Sequence, residues 1–300
     1  VVMQSIATGT ELLLSSKPYS AIVFDEFVEV KIDGPNGDET IHCKLLCGAD
    51  GAHSWVRRNF RMGNPRETMI GFQIEVTGYN GDSGMLDMYT GKNISPGFFS
   101  WAIPTGDTTR IGTWTKAELM NGLSSEQYLD KLLQDQKINS RFRLCSEVAR
   151  FCGPVPSGIV RKPLIERVAL FGDSAGVCKP TTGGGIGPGF NQVDLLVPRL
   201  SKSMENNELS RGTMNSISAL LKEMARNQRK KRALRDAFLT EMSDNELERI
   251  FDVWARPEVT DLINEFGDIE NPIPLGIKML REVPEFRRLA GRAAKAVLWG

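Results

Sequence analysis

Three hundred residues suffice for one large domain or two coupled ones. Apolar residues make up 41% and charged residues 25%, an ordinary globular composition, and 37 basic side chains balance 37 acidic ones, so net charge gives no argument for nucleic-acid binding. No apolar run approaches the ~18–20 residues of a membrane span, and two histidines argue against a His-based triad or a His-rich metal centre.

Residues 1–14 read as the middle of a helix and the lead-in to a strand, as though the chain begins inside a domain. Val28, Val30 and Ile32 alternate with charged residues, as in a half-buried strand. Pro35-Asn36-Gly37-Asp38 follows, and Asn-Gly signals a hairpin. Ile41, Cys43 and Leu45 alternate again before Gly48-Ala49-Asp50-Gly51. Residues 69–78, 84–89, 97–103 and 109–115 are strand-like with Gly- and Asp-rich turns between them, which predicts an antiparallel sheet. Ser124-x-x-Gln127 is a capping box ahead of Leu129, Leu132 and Leu133. Glu166 to Phe171 reads as a short buried strand. Ile186, Phe190, Val193, Val197 and Leu200 recur at 4-3-4-3 spacing, the pattern of a helix face, and Pro198 is expected to kink or end that helix. From about residue 210 the chain reads as helical. There Ser243-x-x-Glu246 caps a stripe of Leu247, Ile250, Phe251 and Trp254, Pro257 opens and Gly267 closes the next helix, and Pro274 and Pro284 punctuate two more. Arg229-Lys230-Lys231-Arg232 reads as a solvated helix face. The last helix sets Arg287, Arg288, Arg292 and Lys295 beside Phe286, Leu289, Val297 and Trp299, a pattern that suits either a core-packed terminal helix or a peripheral membrane contact. The five cysteines, Cys43, Cys47, Cys145, Cys152 and Cys178, form no C-x-x-C pair, so a cytoplasmic chain with free thiols and no metal site is expected.

The chemistry concentrates between Val168 and Ile186. A buried strand ends at Gly172-Asp173, and ligands of open α/β sheets gather outside the carboxyl ends of strands. A carboxylate there accepts hydrogen bonds from a polyol such as ribose or ribitol. Gly172, Gly176 and the small Ala175 let a cofactor approach the backbone. Thr181-Thr182-Gly183-Gly184-Gly185-Ile186 then opens a helix whose N–H groups and positive dipole end suit an anion or an electron-rich ring edge. A flavin develops negative charge at its N1–C2=O edge on reduction, and a helix N-terminus aimed there stabilises it. A Gly-rich strand-to-helix turn with no ligand is the plainer alternative, but the combined pattern is more specific than a bare Gly-Asp and points to flavin. Gly48-Ala49-Asp50-Gly51-Ala52-His53-Ser54-Trp55-Val56-Arg57 sits at another strand end, where Asp-Gly alone would be a turn. Arg57 and Arg58 read equally well as surface charges.

Together the two elements resemble the flavoproteins of the p-hydroxybenzoate hydroxylase fold, where such an Asp-Gly lies near the FAD pyrophosphate. Their order, and their separation of about 120 residues by an antiparallel block, match that fold, in which the block is the substrate domain. Pro96-Gly97-Phe98-Phe99-Ser100-Trp101-Ala102-Ile103-Pro104-Thr105-Gly106 followed by Ile111-Gly112-Thr113 is similar to the Tyr-x-Trp-x-Phe-Pro-Lys-Gly…Gly-x-Gly substrate motif of the geranylgeranyl reductase family. Phe99 replaces the Tyr, Ile103 the Phe, Thr105 the Lys and Trp114 the last Gly. Lys179-Pro180-Thr181-Thr182-Gly183-Gly184-Gly185-Ile186, and the tail from Met242 through Phe266-Gly267 to Pro272, also resemble that family.

The resemblance implies a mixed α/β (α+β) fold: a Rossmann-like FAD-binding domain lacking its N-terminal βαβ unit (1–68 and 161–205), an inserted antiparallel substrate domain (69–160) and a helical C-terminal region (206–300). The expected cofactor contacts are Asp50, Gly51, Gly172, Asp173, Gly176, Thr182, Gly183, Gly184, Gly185 and Ile186, and the expected substrate contacts are Phe99, Trp101, Pro104 and Gly106. The implied activity is reduction of isoprenoid C=C bonds by FAD, itself reduced by NAD(P)H or a ferredoxin-like donor, in a cytoplasmic or peripherally membrane-bound enzyme. The flavin carries the chemistry, and no catalytic side chain is assigned. Cys178, close to the flavin element, is a weak candidate. No G-x-G-x-x-G occurs, since Phe190 stands at the last position of the run from Gly183, and roughly 100 upstream residues are expected to carry it. The rivals are a flavin monooxygenase of an aromatic or polyketide substrate, and an inactive fragment or lipid-binding module.

Overall fold

The computed structural model describes residues 2–268, 273–287 and 291. In chain order its elements are α1 (Val2–Ala7), β1 (Lys17–Val23), β2 (Val28–Gly34), β3 (Gly37–Cys43), β4 (Leu46–Gly48), α2 (Trp55–Asn59), β5 (Glu67–Thr77), β6 (Asp87–Tyr89), β7 (Ser100–Pro104), β8 (Thr109–Lys116) and α3 (Ser125–Gln134). There follow β9 (Ser146–Ser157), β10 (Leu164–Ile165), β11 (Val168–Leu170), α4 (Ile186–Glu205), α5 (Arg211–Ser218), α6 (Lys222–Arg235), α7 (Asp244–Trp254), α8 (Pro257–Phe266), α9 (Ile273–Glu282) and α10 (Pro284–Arg287). They form two compact units, residues 1–66, 158–178 and 184–224 in the first and 67–157, 179–183 and 225–300 in the second.

In the first unit, β1, β2 and β3 make an antiparallel sheet whose inner row, Val28, Val30 and Ile32, is buried as the alternation predicts. The β2–β3 turn is Pro35-Asn36, with Gly37 taking the positive φ of 101° and closing the ladder against Gly34. A second sheet, in the order β10-β11-β4, runs β11 parallel to β4 and sets Leu170 beside Gly48. Val168, Ala169 and Leu170 are fully buried, as expected of the strand after Glu166. Helix α4 continues through Pro198 to Glu205. It buries Gln192, Leu196, Leu200 and Ser203, and leaves Ile186, Phe190, Val193 and Val197 exposed. Both rows have helical spacing, and the one that enters the core carries Leu196 and Leu200 into a cluster with Leu164, Leu209, Met214 and Ile217.

In the second unit, a five-stranded antiparallel sheet has the order β6-β7-β8-β5-β9. One face packs on α3 through Phe72, Ile74, Val76, Ala102, Ile111, Leu129, Leu132 and Phe142. The Ser124/Gln127 capping box starts α3 as predicted. Strand β9 was not predicted. It carries Pro154 and Pro156 and much exposed surface, as an edge strand tolerates. The helices from α7 onward form their own core around Leu247, Ile250, Val253, Val259, Met279, Val283 and Phe286. The Ser243/Glu246 box holds, but Phe251 of the expected stripe faces outward. Phe286 stacks on Trp254 in that core, so this residue of the terminal basic pattern is buried. Arg288, Leu289, Arg292, Lys295, Val297 and Trp299, like Ile269 to Pro272, lie outside the described residues. No helix among the described residues is long and apolar enough to cross a membrane.

Candidate functional site

In the first unit the carboxyl ends of β4 and β11 lie side by side, which brings the two glycine-rich exits together. The Phe171 N–H donates to the Gly48 carbonyl at 2.9 Å. The buried Ser174 hydroxyl donates to the same carbonyl and accepts from the Phe171 N–H at 3.1 Å. Arg57 is buried, not a surface charge: it donates to the carbonyls of Ser174 at 2.9 Å and Ala52 at 2.6 Å. The exits are therefore tied to each other by a cation on main-chain oxygens. Arg58 stays exposed. Exposed Asp50 accepts from the Val56 N–H at 3.0 Å, and Ser54 caps α2 by accepting from the Arg57 N–H. Gly51 has φ 75° and faces open space, so backbone conformation alone calls for glycine there.

The turn after β11 is a short 3₁₀ segment, Gly172–Ala175, closed by Gly176 at φ 76°. A Cβ on Gly176 would come within 2.8 Å of the Gly158 carbonyl, which gives that glycine a packing reason of its own. Gly172 is held by Gln192 of α4, which was not foreseen. This fully buried amide accepts from the Gly172 N–H and donates to the Leu170 carbonyl, both at 2.9 Å. The clue was a polar residue in the Leu196–Leu200 row. Asp173 is half-exposed, and its Oδ1 accepts from the Cys178 thiol at 3.0 Å. Burial, then Asp173, pushes the Cys178 thiol well above the ordinary range, which favours its protonated form as a donor to Asp173. A Cβ on Gly185 would meet Asp173 Oδ1 at 3.0 Å and Cys178 Sγ at 3.2 Å. The fold thus presses Gly185, directly ahead of Ile186 and α4, against the carboxylate. In the first turn of α4 Pro188 has no N–H and the Gly189 N–H bonds Gly185, which leaves the Ile186 and Gly187 N–H groups as its donors. Gly184 is exposed.

In the second unit the sheet face opposite α3 carries an aromatic platform. Trp101 pairs across strands with Gly112, and Trp114 with Gly71. Each indole covers its glycine closely: a Cβ on Gly112 or Gly71 would collide with it. The two rings are 5.3 Å apart, with Phe99 6.1 Å from Trp101. The buried Trp101 Nε1 has no hydrogen-bond partner among the described residues. Gly183 has φ 74° and sits over Trp114, where a Cβ would be 3.3 Å from the indole. Its N–H donates to the Lys179 carbonyl at 2.9 Å, so that donor closes a turn. Half-exposed Thr182 is in the same turn. Pro104 and Gly106 are not brought to the platform. They lie at the β7–β8 hairpin, beside a small open recess that Val76, Gly78 and Tyr79 also line. Strand alternation puts Pro104 on the face opposite Trp101.

A family described as FAD binding domain matches residues 25–209. A digeranylgeranylglycerophospholipid reductase of Methanocaldococcus jannaschii is 24% identical over 220 residues, 71% of this chain and 56% of that one. The crystal structure of a geranylgeranyl bacteriochlorophyll reductase-like protein from Thermoplasma acidophilum superposes with a TM-score of 0.80 at 18% identity, over 97% of this chain and 72% of that one. A halogenase solved in complex with FAD has a TM-score of 0.64 at 15% identity, over 91% of this chain and 60% of that one. The chain spans about half to three-fifths of the length of the curated relatives it matches. The motif resemblance and the mixed fold drawn from it are borne out.

Proposed function

The chain belongs to the FAD binding domain family, and from that premise we propose that it serves an FAD-dependent reductase saturating C=C bonds of isoprenoid (geranylgeranyl) chains in membrane-lipid precursors. The observation that carries the reading is the run from Gly172 to Ile186. It sets the Asp173 carboxylate against Gly185 at the start of α4. When bound, reduced FAD would supply hydride to one carbon of the double bond while a proton adds to the other, its electrons coming from NAD(P)H or a ferredoxin-like donor.

The chain's own residues do the rest. Asp173, its Oδ1 already fixed by the Cys178 thiol, offers Oδ2 to ribityl hydroxyls. The Ile186 and Gly187 N–H groups offer donors and a positive helix end to an electron-rich ring edge. Asp50 and Gly51, at the neighbouring strand exit, would serve the FAD pyrophosphate. Phe99 and Trp114, tilted against the buried Trp101, offer apolar surface to an isoprenoid chain, each CH₂ covered being worth about 0.8 kcal/mol. A lipid substrate also calls for peripheral contact with a membrane surface.

The test is to load the protein with FAD, reduce it with dithionite, add a geranylgeranyl lipid and follow mass. The expected result is a gain of two mass units per double bond. No gain with any isoprenoid, from protein that carries FAD, overturns the reading. Oxygen consumption dependent on an aromatic or polyketide substrate would favour a monooxygenase, and the absence of a flavin spectrum an inactive fragment or lipid-binding module.

A further inference from the structure

Arg235, the last residue of α6, has a side chain only 1% exposed. Its guanidinium carries five N–H donors, and the second unit provides an acceptor for each. Nη1 and Nη2 donate to Oε1 and Oε2 of Glu67 at 3.0 and 2.8 Å, a two-pronged fork. Nε and Nη2 donate to Oδ1 of Asp236 at 3.1 and 2.7 Å. The other Nη1 proton goes to the Pro180 carbonyl at 2.7 Å. The cation lies 5.4 Å from the centre of the Phe98 ring. Glu67 also pairs with Arg232 at 3.0 Å, so Arg232 belongs to this buried cluster and not to a solvated face. Asp236 accepts from Lys116 and Thr240, each at 3.2 Å. Burial alone would raise both carboxyls. For Glu67 the hydrogen bonds and charges of Arg235 and Arg232 outweigh it, for Asp236 those of Arg235 and Lys116, and both are held below their usual values. Immediately after Arg235 the helix widens into a π turn, Asp236–Thr240, a feature frequent at functional sites.

A buried ion cluster adds little net stability compared with apolar packing of the same volume. What this one specifies is geometry, and the geometry converges on one loop carbonyl. Lys179–Gly183 is held at Pro180 by Arg235, closed by the Gly183 N–H on Lys179, and laid on Trp114 at Gly183. We propose that Arg235 is a positioning residue that clamps the Lys179–Gly183 turn through the Pro180 carbonyl and so presents Thr182 and Gly183 to the cofactor. The proposal rests on the flavin reading of that turn.

Lysine at 235 keeps the charge but replaces the planar fork with three donors on one compact head, two too few for the five bonds to oxygen that Arg235 makes. Hydrogen exchange is measured on FAD-free wild type, R235K and E67Q, with FAD affinity and the thermal midpoint measured alongside. In R235K, exchange at Thr181, Thr182 and Gly183 is expected to quicken by about tenfold, the effect of losing one charge-assisted hydrogen bond, and the FAD dissociation constant to rise similarly. Exchange in β7 and β8 stays at the wild-type rate. E67Q loses the charged fork that aims the Arg235 guanidinium at the Pro180 carbonyl, so the clamp loosens and E67Q falls between. Wild-type exchange and FAD affinity in folded R235K overturn the clamp. If R235K does not fold, wild-type values for both in E67Q do so. Wild-type protein that binds no FAD would sink the functional reading instead, and the exchange difference tells the two failures apart.

Discussion

Cys178 is a thiol held in its protonated form by burial and by Asp173. Its folded pKa is raised above the unfolded value of about 8.5, so its contribution to stability is complete below that pH. As pH rises further the unfolded chain ionises first and stability falls. Urea midpoints of wild type and Cys178→Ser from pH 7.5 to 10 isolate this term, because serine keeps a donor to Asp173 and does not titrate there. Wild type should lose up to about 1.4 kcal/mol per pH unit more than the variant above pH ~8.5; parallel profiles would show that the thiol does not titrate in this way. Arg57 makes the complementary case, a cation whose partners are main-chain oxygens of both strand exits. Arg57→Met removes two charge-assisted bonds and leaves buried carbonyls behind, so about 2–4 kcal/mol of stability should go. Denaturant titration checks this, and a loss under about 0.5 kcal/mol would return Arg57 to the class of surface charges.

At the scale of elements, the tryptophans on the sheet depend on the glycines beneath them. Gly71→Ala or Gly112→Ala pushes a methyl into Trp114 or Trp101, at a cost of about 1–3 kcal/mol for overpacking. The near-ultraviolet circular dichroism of the two neighbouring indoles should change in both variants, while Gly153→Ala, with open space above it on the same face, should leave the signal as it is. These elements also mark what could be read from sequence. Capping boxes, the Val28–Ile32 alternation and the strand after Glu166 are local patterns, and each was legible. Strand β9 was not, because prolines and an exposed edge erase its signal. Helix α4 was half legible: its existence followed from periodicity, but it is apolar on two rows. Periodicity alone does not say that the row containing Gln192 goes inward, since that choice depends on the Leu170 and Gly172 main chain the amide serves. Asp173 and its glycines stood out as a strand-to-helix pattern, and Asp50 only through the resemblance. Arg57, Gln192 and Arg235 did not, because their roles lie in partners 117, 22 and 168 residues away.

At the scale of the whole molecule, the row that α4 keeps out of its core has a consequence for solution behaviour. Ile186 is 78% exposed, Phe190 64%, Val193 39% and Val197 40%, a continuous apolar stripe along one helix. Isolated exposed apolar residues are normal, but a contiguous stripe drives association. The formal charge of the chain is zero at pH 7, so no long-range repulsion keeps copies apart. The 300-residue chain should therefore self-associate at tens of micromolar and bind a hydrophobic dye. Phe190→Lys, which places a charge in the middle of the stripe, should reduce both without lowering the thermal midpoint, because Phe190 contributes to no core cluster of its unit. Sedimentation velocity with dye titration decides it. A wild-type chain that stays monomeric across that range, or a Phe190→Lys variant that associates as strongly as wild type, would show that the stripe is not what brings copies together.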